Sequence, residues 1–285
     1  MKVYDFDLAQ TLECGQCFNF EKISDTSEGV SEYAVCARER LLHIRQKICA
    51  DGTAELSFLN ASPEDVRGIW MPYFDLERDY GEIKRAVISA DERLRPVVEK
   101  YHGIRILNQD FCETLISFII SQNKNIPQIK KCVKAICEYS GPFLGEIGKK
   151  KYYGFPDLSA LSAMCEQDFR DLKCGFRAPY ITDAVRKMNE GLSGERLASL
   201  SRREAKAELM SVHGVGDKVA NCVLLFSLGF RESFPVDVWI ERVMEELYFE
   251  GRKTPRPVIE AEGACRFGAF GGYAQQYLFM YARGK

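Results

Sequence analysis

Apolar and polar residues alternate over Phe18 to Ile23, over parts of Tyr33 to Ile44 and over Thr53 to Leu59. A period of two puts successive side chains on opposite faces of an extended chain, so these stretches predict half-buried strands. The pattern then changes. Ser62-Pro63-Glu64-Asp65 supplies a capping hydroxyl, a first-turn proline and two acids against the helix dipole, which predicts a helix start. Asp91 is placed to cap a second helix running toward Glu99. Beyond Arg105 the helical period takes over. Asp110 to Ser121 carries Phe111, Leu115, Ile116, Phe118, Ile119 and Ile120, apolar nearly all round, which predicts a buried helix. A polar turn, Gln122-Asn123-Lys124-Asn125, follows. Ile126 to Tyr139 is amphipathic and stops near Gly141. Leu158 to Leu172 and Tyr180 to Met188 predict further helices, and Tyr273 to Tyr281 a short, very apolar one. The pattern predicts an α+β protein. An antiparallel β-rich unit with flanking helices occupies residues 1–100, and a mainly helical unit occupies 101–285. The chain shows no internal repeat and no low-complexity linker.

Composition narrows the class. With 285 residues, 46% hydrophobic and 28% charged, the chain can bury a sizeable core. It has no run of about 18 apolar residues, and its start lacks a charged-then-apolar signal layout. The expectation is a monomeric, prokaryotic cytoplasmic protein. Eleven scattered cysteines read as free thiols, mostly core. Cys14-Gly15-Gln16-Cys17 alone has the two-residue gap of a zinc or redox pair. It has no second pair or histidine pair to complete it, and no iron–sulfur spacing occurs, so no side-chain metal site is expected. A net charge of −2 does not mark a general nucleic-acid binder. The runs around Lys130-Lys131 and Lys149-Lys150-Lys151 each read as a solvated face.

The chemistry concentrates in Val212-His213-Gly214-Val215-Gly216-Asp217-Lys218, between helical runs at Arg202 to Ser211 and Asp217 to Leu228. Two glycines two apart allow a tight turn with positive φ. The free N–H groups and positive end of the next helix can then hold a phosphate without a basic side chain. Lys218 sits in the first turn of that helix, where a cation is disfavoured, and a neutral amine is what Schiff-base chemistry needs. Cys222, four residues on, shares its face. Some twenty residues after the hairpin comes Phe234-Pro235-Val236-Asp237, in which Asp237 can cap a further helix.

This array of Gly-Val-Gly-x-Lys before Pro-Val-Asp resembles the helix–hairpin–helix DNA glycosylase superfamily, with the hairpin at about 202–228. Other stretches resemble its 8-oxoguanine branch in collinear order from residue 12 to 281. They are Leu12-Glu13-Cys14-Gly15-Gln16-Cys17-Phe18, Gln122-Asn123-Lys124-Asn125, Gly175-Phe176-Arg177-Ala178-Pro179-Tyr180 and Ala274-Gln275-Gln276-Tyr277-Leu278-Phe279. The resemblance implies a TBP-like antiparallel domain before the helical glycosylase domain. It implies duplex DNA containing 8-oxoguanine as partner, base flipping, and both glycosylase and lyase activity in base excision repair. Lys218 would be the nucleophile and Asp237 would stabilise charge on the sugar. Gly15, Cys222, Gln275 and Phe279 would hold the base. Asn123 would fill the gap in the stack, Phe176 and Arg177 would meet the estranged base, and Gly214 and Gly216 would form the phosphate-binding hairpin. No redox cofactor is implied, though backbone carbonyls of Met210, Val212 and Val215 would hold a cation in the family.

Three departures stand out. His213 replaces a proline before the hairpin glycine. Trp239 replaces a histidine that contacts phosphate, though its indole N–H can still donate. Gln128 replaces the arginine with which animal members read the opposite cytosine, which implies relaxed opposite-base selectivity. The competing readings are a glycosylase for another lesion, a helix–hairpin–helix protein that only binds DNA, and a thiol–disulfide module using Cys14 and Cys17.

Overall fold

The computed structural model describes residues 1–25, 29–49 and 51–284. Five strands form one antiparallel sheet: β1 (Lys2–Val3), β2 (Phe20–Asp25), β3 (Val30–Ala37), β4 (Arg40–Ile48) and β5 (Ala54–Phe58), in the order β1-β5-β4-β3-β2. The alternation read from Tyr33 to Ile44 belongs to two strands that turn between Ala37 and Arg40 and pair Tyr33 with Ile44. The apolar side of this sheet packs Tyr33, Val35, Leu42, Ile44 and Leu56 against Leu8 and Leu12 of a short helix (Leu8–Glu13) and against Trp70 and Phe74.

A larger core is helical. The helix Phe111–Ile120 is buried along most of its length, as its all-round apolar pattern predicts. It packs against Asp217–Phe226, the second helix of the hairpin, and residues of Ala178–Asn189, Val238–Tyr248 and Gly271–Arg283 share this core. Helices Tyr80–Ala90 and Arg95–Lys100 bury Ile83, Val87, Val97 and Val98 in this core rather than beneath the sheet. Among the described residues no helix is long and apolar enough to cross a membrane.

Two local readings change. The stretch from Leu158 to Leu172 is two short helices, Leu158–Ser162 and Glu166–Asp171. Asp168 turns back to accept the Cys165 N–H at 2.7 Å, and that capping box starts the second helix. Residues 143–153 form a hairpin of two strands, β6 (Phe143–Ile147) and β7 (Lys150–Tyr153), so the lysine run of 149–151 reaches into a strand.

Candidate active site

The hairpin joins helix Arg202–Met210, capped by Ser201 with Glu204 reciprocating, to helix Asp217–Phe226. Its two glycines do different jobs. Gly214 has φ +79°, and a Cβ there would lie 2.3 Å from the Tyr180 ring. Gly216, expected to share positive φ, instead has φ −104° and ψ −175°, an extended conformation open to any residue, and caps the helix. The hairpin therefore closes on Tyr180, which ends the Phe176-Arg177-Ala178-Pro179-Tyr180 turn. His213 reinforces that contact with its ring edge-on to Tyr180 at 4.6 Å and its N–H on Asp183 at 2.8 Å.

Lys218 projects from the first turn of this helix. Its Nζ donates to Ser121 Oγ at 2.8 Å and lies 4.9 Å from the centroid of the Phe118 ring. The Ser121 hydroxyl donates to the Phe118 carbonyl at 2.7 Å, so its lone pair is free to receive the lysine. No local pattern marks Ser121 as this partner, because the contact depends on two helices crossing. Asp237 caps Val238–Tyr248, its Oδ1 accepting the N–H groups of Trp239 and Ile240, both at 2.9 Å. The carboxylate is thus fixed at a helix N-terminus, where negative charge is favoured.

A recess of about 60 Å³ gathers Lys218 and Asp237 with Gly15, Cys222, Gln275 and Phe279. These six residues come from four distant parts of the chain. Gly15 has φ +88°, and a Cβ on it would press on Ile126 at 3.0 Å and approach Phe279 at 3.8 Å, so the wall there is bare backbone. Its neighbour Gln16 is fully buried and anchors it. The Gln16 amide donates to the carbonyls of Thr11 (2.8 Å) and Arg105 (2.7 Å), and its oxygen accepts the Leu107 N–H (2.9 Å). Gln109 ties this loop to the helix that carries Lys218: its backbone N–H bonds the Phe226 carbonyl and its side chain bonds the Gln16 carbonyl. Gln275 donates to the Pro235 carbonyl at 3.2 Å and accepts from Gln276 at 2.8 Å. Gln276, not singled out from the sequence, lines the same recess, and its Oε1 is buried with no hydrogen-bond partner among the described residues. Burial pushes the Cys222 thiol up to about 11 although Lys218 pulls it down, so it is protonated at neutral pH.

The recess opens beside a groove of about 830 Å³ that also reaches Lys218 and Asp237. Asn123, Phe176, Gly216 and Trp239 line this groove. Asn123 stands exposed at φ +53°, and Phe176 and Trp239 are exposed aromatic rings. Three residues expected at the DNA surface are turned to other work. Arg177 is buried, its guanidinium bonded to the carbonyls of Gln122 and Cys174 and lying over the Phe176 ring. Gln128 is exposed but closes the capping box of Ile126–Ser140, its Oε1 accepting the Asn125 N–H at 3.1 Å. Gly214 faces Tyr180. For a backbone cation, the Val212 carbonyl already accepts the Val215 N–H at 3.0 Å. Among the described residues no cluster of three acidic, histidine or cysteine side chains is set to hold a metal.

The family model of the 8-oxoguanine DNA glycosylase N-terminal domain matches residues 1–115, and that of the HhH-GPD superfamily of base excision DNA repair proteins matches residues 116–264. The N-glycosylase/DNA lyase OGG1 of Arabidopsis thaliana is 30% identical over 97% of this chain and 77% of the plant protein. The chain belongs to the 8-oxoguanine DNA glycosylase family. A solved member, the 8-oxoguanine glycosylase/lyase of Clostridium acetobutylicum in complex with dsDNA containing cytosine opposite to 8-oxoG, shares 39% identity with this family member. It superposes with a TM-score of 0.90 over 99% of this chain and 93% of that one. The 3-methyladenine DNA-glycosylase of Archaeoglobus fulgidus, at 23% identity and a TM-score of 0.75, shares the fold.

Proposed function

We propose that this protein is a bifunctional DNA glycosylase and AP lyase that removes 8-oxoguanine from duplex DNA in base excision repair. The observation that carries the reading is the convergence of Lys218, Asp237, Gly15, Cys222, Gln275 and Phe279 on one recess at the edge of a groove. The sugar carbon C1′ is inaccessible within the stack, so the nucleotide is turned out, at a cost of a few kcal/mol offset by the recess and by residues filling the gap. Asn123 enters that gap and Phe176 wedges beside the estranged base. The recess takes the lesion between Cys222 and Phe279, with Gln275 on its edge and the Gly15 backbone carbonyl accepting the N7 hydrogen that guanine lacks. A buried acceptor left without that hydrogen costs roughly 1–3 kcal/mol, which discriminates against the undamaged base.

The Lys218 amine then bonds C1′ as the C1′–N9 bond breaks and the base leaves. The Asp237 carboxylate stabilises the positive charge developing on the sugar. Ring opening gives a Schiff base on Lys218, and loss of a C2′ proton expels the 3′ phosphate by β-elimination. The hairpin N–H groups near Gly216 and the Trp239 indole hold phosphate. The proposed chemistry calls for no redox cofactor.

Borohydride trapping on labelled duplexes carrying one 8-oxoguanine tests this. Native protein gives a covalent adduct, and Lys218→Gln binds the duplex but gives none. Intact binding with no adduct and no cleavage by native protein would overturn the substrate, leaving another lesion or a binding-only role. The second expectation concerns the opposite base. With Gln128 engaged in its own helix cap, excision opposite C, A, G and T proceeds at similar single-turnover rates. A strong preference for C would refute that.

A further inference from the structure

The lysines of helix Ile126–Ser140 and those of the β6–β7 hairpin lie some twenty residues apart in sequence, yet they line the two walls of one cavity of about 280 Å³. Lys130, Lys131 and Lys134 come from the helix, and Lys150 and Lys151 from β7. Two carboxylates, Glu21 and Glu138, line it as well. Glu21 pairs with Lys150 at 2.5 Å and Glu138 with Lys134 at 3.6 Å. Three lysines remain unmatched. Lys131 and Lys151 are exposed and have no ion pair among the described residues. The Lys130 ammonium is half-buried, 3.5 Å from the centroid of the Phe20 ring, and burial lowers its pKa. An excess of three positive charges, one of them poorly hydrated, is concentrated here in a chain whose net charge is −2.

The cavity shares a wall residue with the lesion groove. Phe18 lines both, and the first turn of the same helix, from Ile126 to Ile129, lines the groove. From Ile126 to Lys134 the helix advances about 12 Å at roughly 1.5 Å per residue. That is about three to four base pairs of B-DNA at roughly 3.4 Å each. We propose that this lysine-lined cavity is a second DNA site, which takes backbone phosphates of the duplex arm running out from the lesion groove along helix Ile126–Ser140. The proposal rests on the glycosylase reading for the position of the lesion.

The test uses the full chain and its double variant Lys131→Gln/Lys151→Gln, both exposed positions, with circular dichroism to confirm the fold. Two duplexes of equal length carry 8-oxoguanine about three base pairs from one end or from the other, so that the arm over the cavity is present in only one of them. Affinity is measured against salt concentration. With the arm present, the double variant binds about tenfold more weakly at low salt, and the slope of log K against log salt is shallower by about two, close to one per lost phosphate contact. With the arm absent, native and variant bind alike. Unchanged slopes on both duplexes, or equal weakening on both, would overturn the proposal. Long undamaged duplex gives an independent reading. The same loss of slope there, in a protein that does not trap on 8-oxoguanine, would keep the second site and remove only the lesion assignment.

Discussion

Asp237 carries two functions that one substitution can separate. As a cap it bonds two backbone N–H groups, and as a carboxylate it faces the recess with Lys218. Asparagine caps a helix about as well as aspartate but carries no charge. Asp237→Asn therefore unfolds within a degree or two of native, while single-turnover excision falls by at least about 100-fold, the scale for losing one preorganised electrostatic partner. A comparable fall in melting temperature would show that the cap, not the charge, is what matters there. Lys218, Asp237 and Gly15 stand out in the sequence through the family resemblance, and the structure brings them to one recess. Ser121 and Gln276 were not, because a serine ending an apolar helix and a second glutamine on the last one acquire meaning only through contacts across the fold. Arg177, for which the resemblance implies contact with the estranged base, is buried here with its fork beside the carbonyls of Gln122 and Cys174, a placement that residue type does not foretell.

The hairpin is where local sequence and long-range packing meet. Gly214 is required twice, by its positive φ and by the Tyr180 ring that fills the space where a Cβ would go. A left-handed non-glycine residue costs about 1–2 kcal/mol before any clash. Gly214→Ala is expected to lower unfolding free energy by at least about 2 kcal/mol and to weaken duplex binding, measured by urea denaturation and titration. Gly216→Ala, extended and with open space around it, is expected to leave stability nearly unchanged. Equal effects at the two positions would refute this division of labour. The sequence pattern showed the two helices and their turn, but it could not distinguish the glycines, because the discriminating atom is on Tyr180, more than thirty residues earlier. The β6–β7 hairpin escaped for a related reason. Glycines at 145 and 148 and the lysines at 149–151 interrupt its alternation, and its side chains are mostly half-exposed.

At the scale of the molecule, Arg105 ties the start of the chain to the segment between Phe74 and Tyr80, where the chain passes from the core of the sheet to the helical core. Its buried guanidinium donates to the carbonyls of Tyr4 (2.8 Å), Asp5 (3.1 Å), Asp75 (2.5 Å) and Arg78 (3.1 Å). Arg105→Met keeps the length of the side chain and removes every donor. It is expected to destabilise the protein by about 3–5 kcal/mol, because carbonyls are left buried without partners. An unchanged urea midpoint would mean that water replaces the clamp. Neither domain pattern predicted this residue, which sits in a stretch without helix or strand near the start of the predicted helical unit. Next along that stretch, Gln109 holds the end of the Lys218 helix with its backbone and the loop of Gly15 with its side chain. Under the proposed roles, the part that inspects the base and the part that attacks it are set at a fixed gauge before any DNA arrives. Gly15 lies near the start of the chain, Lys218 far along it, and Gln275 and Phe279 later still. As the polypeptide emerges from the ribosome, Gln109 and the Gly15 loop come early, but the gauge closes only once Phe226, at the end of the Lys218 helix, has been made.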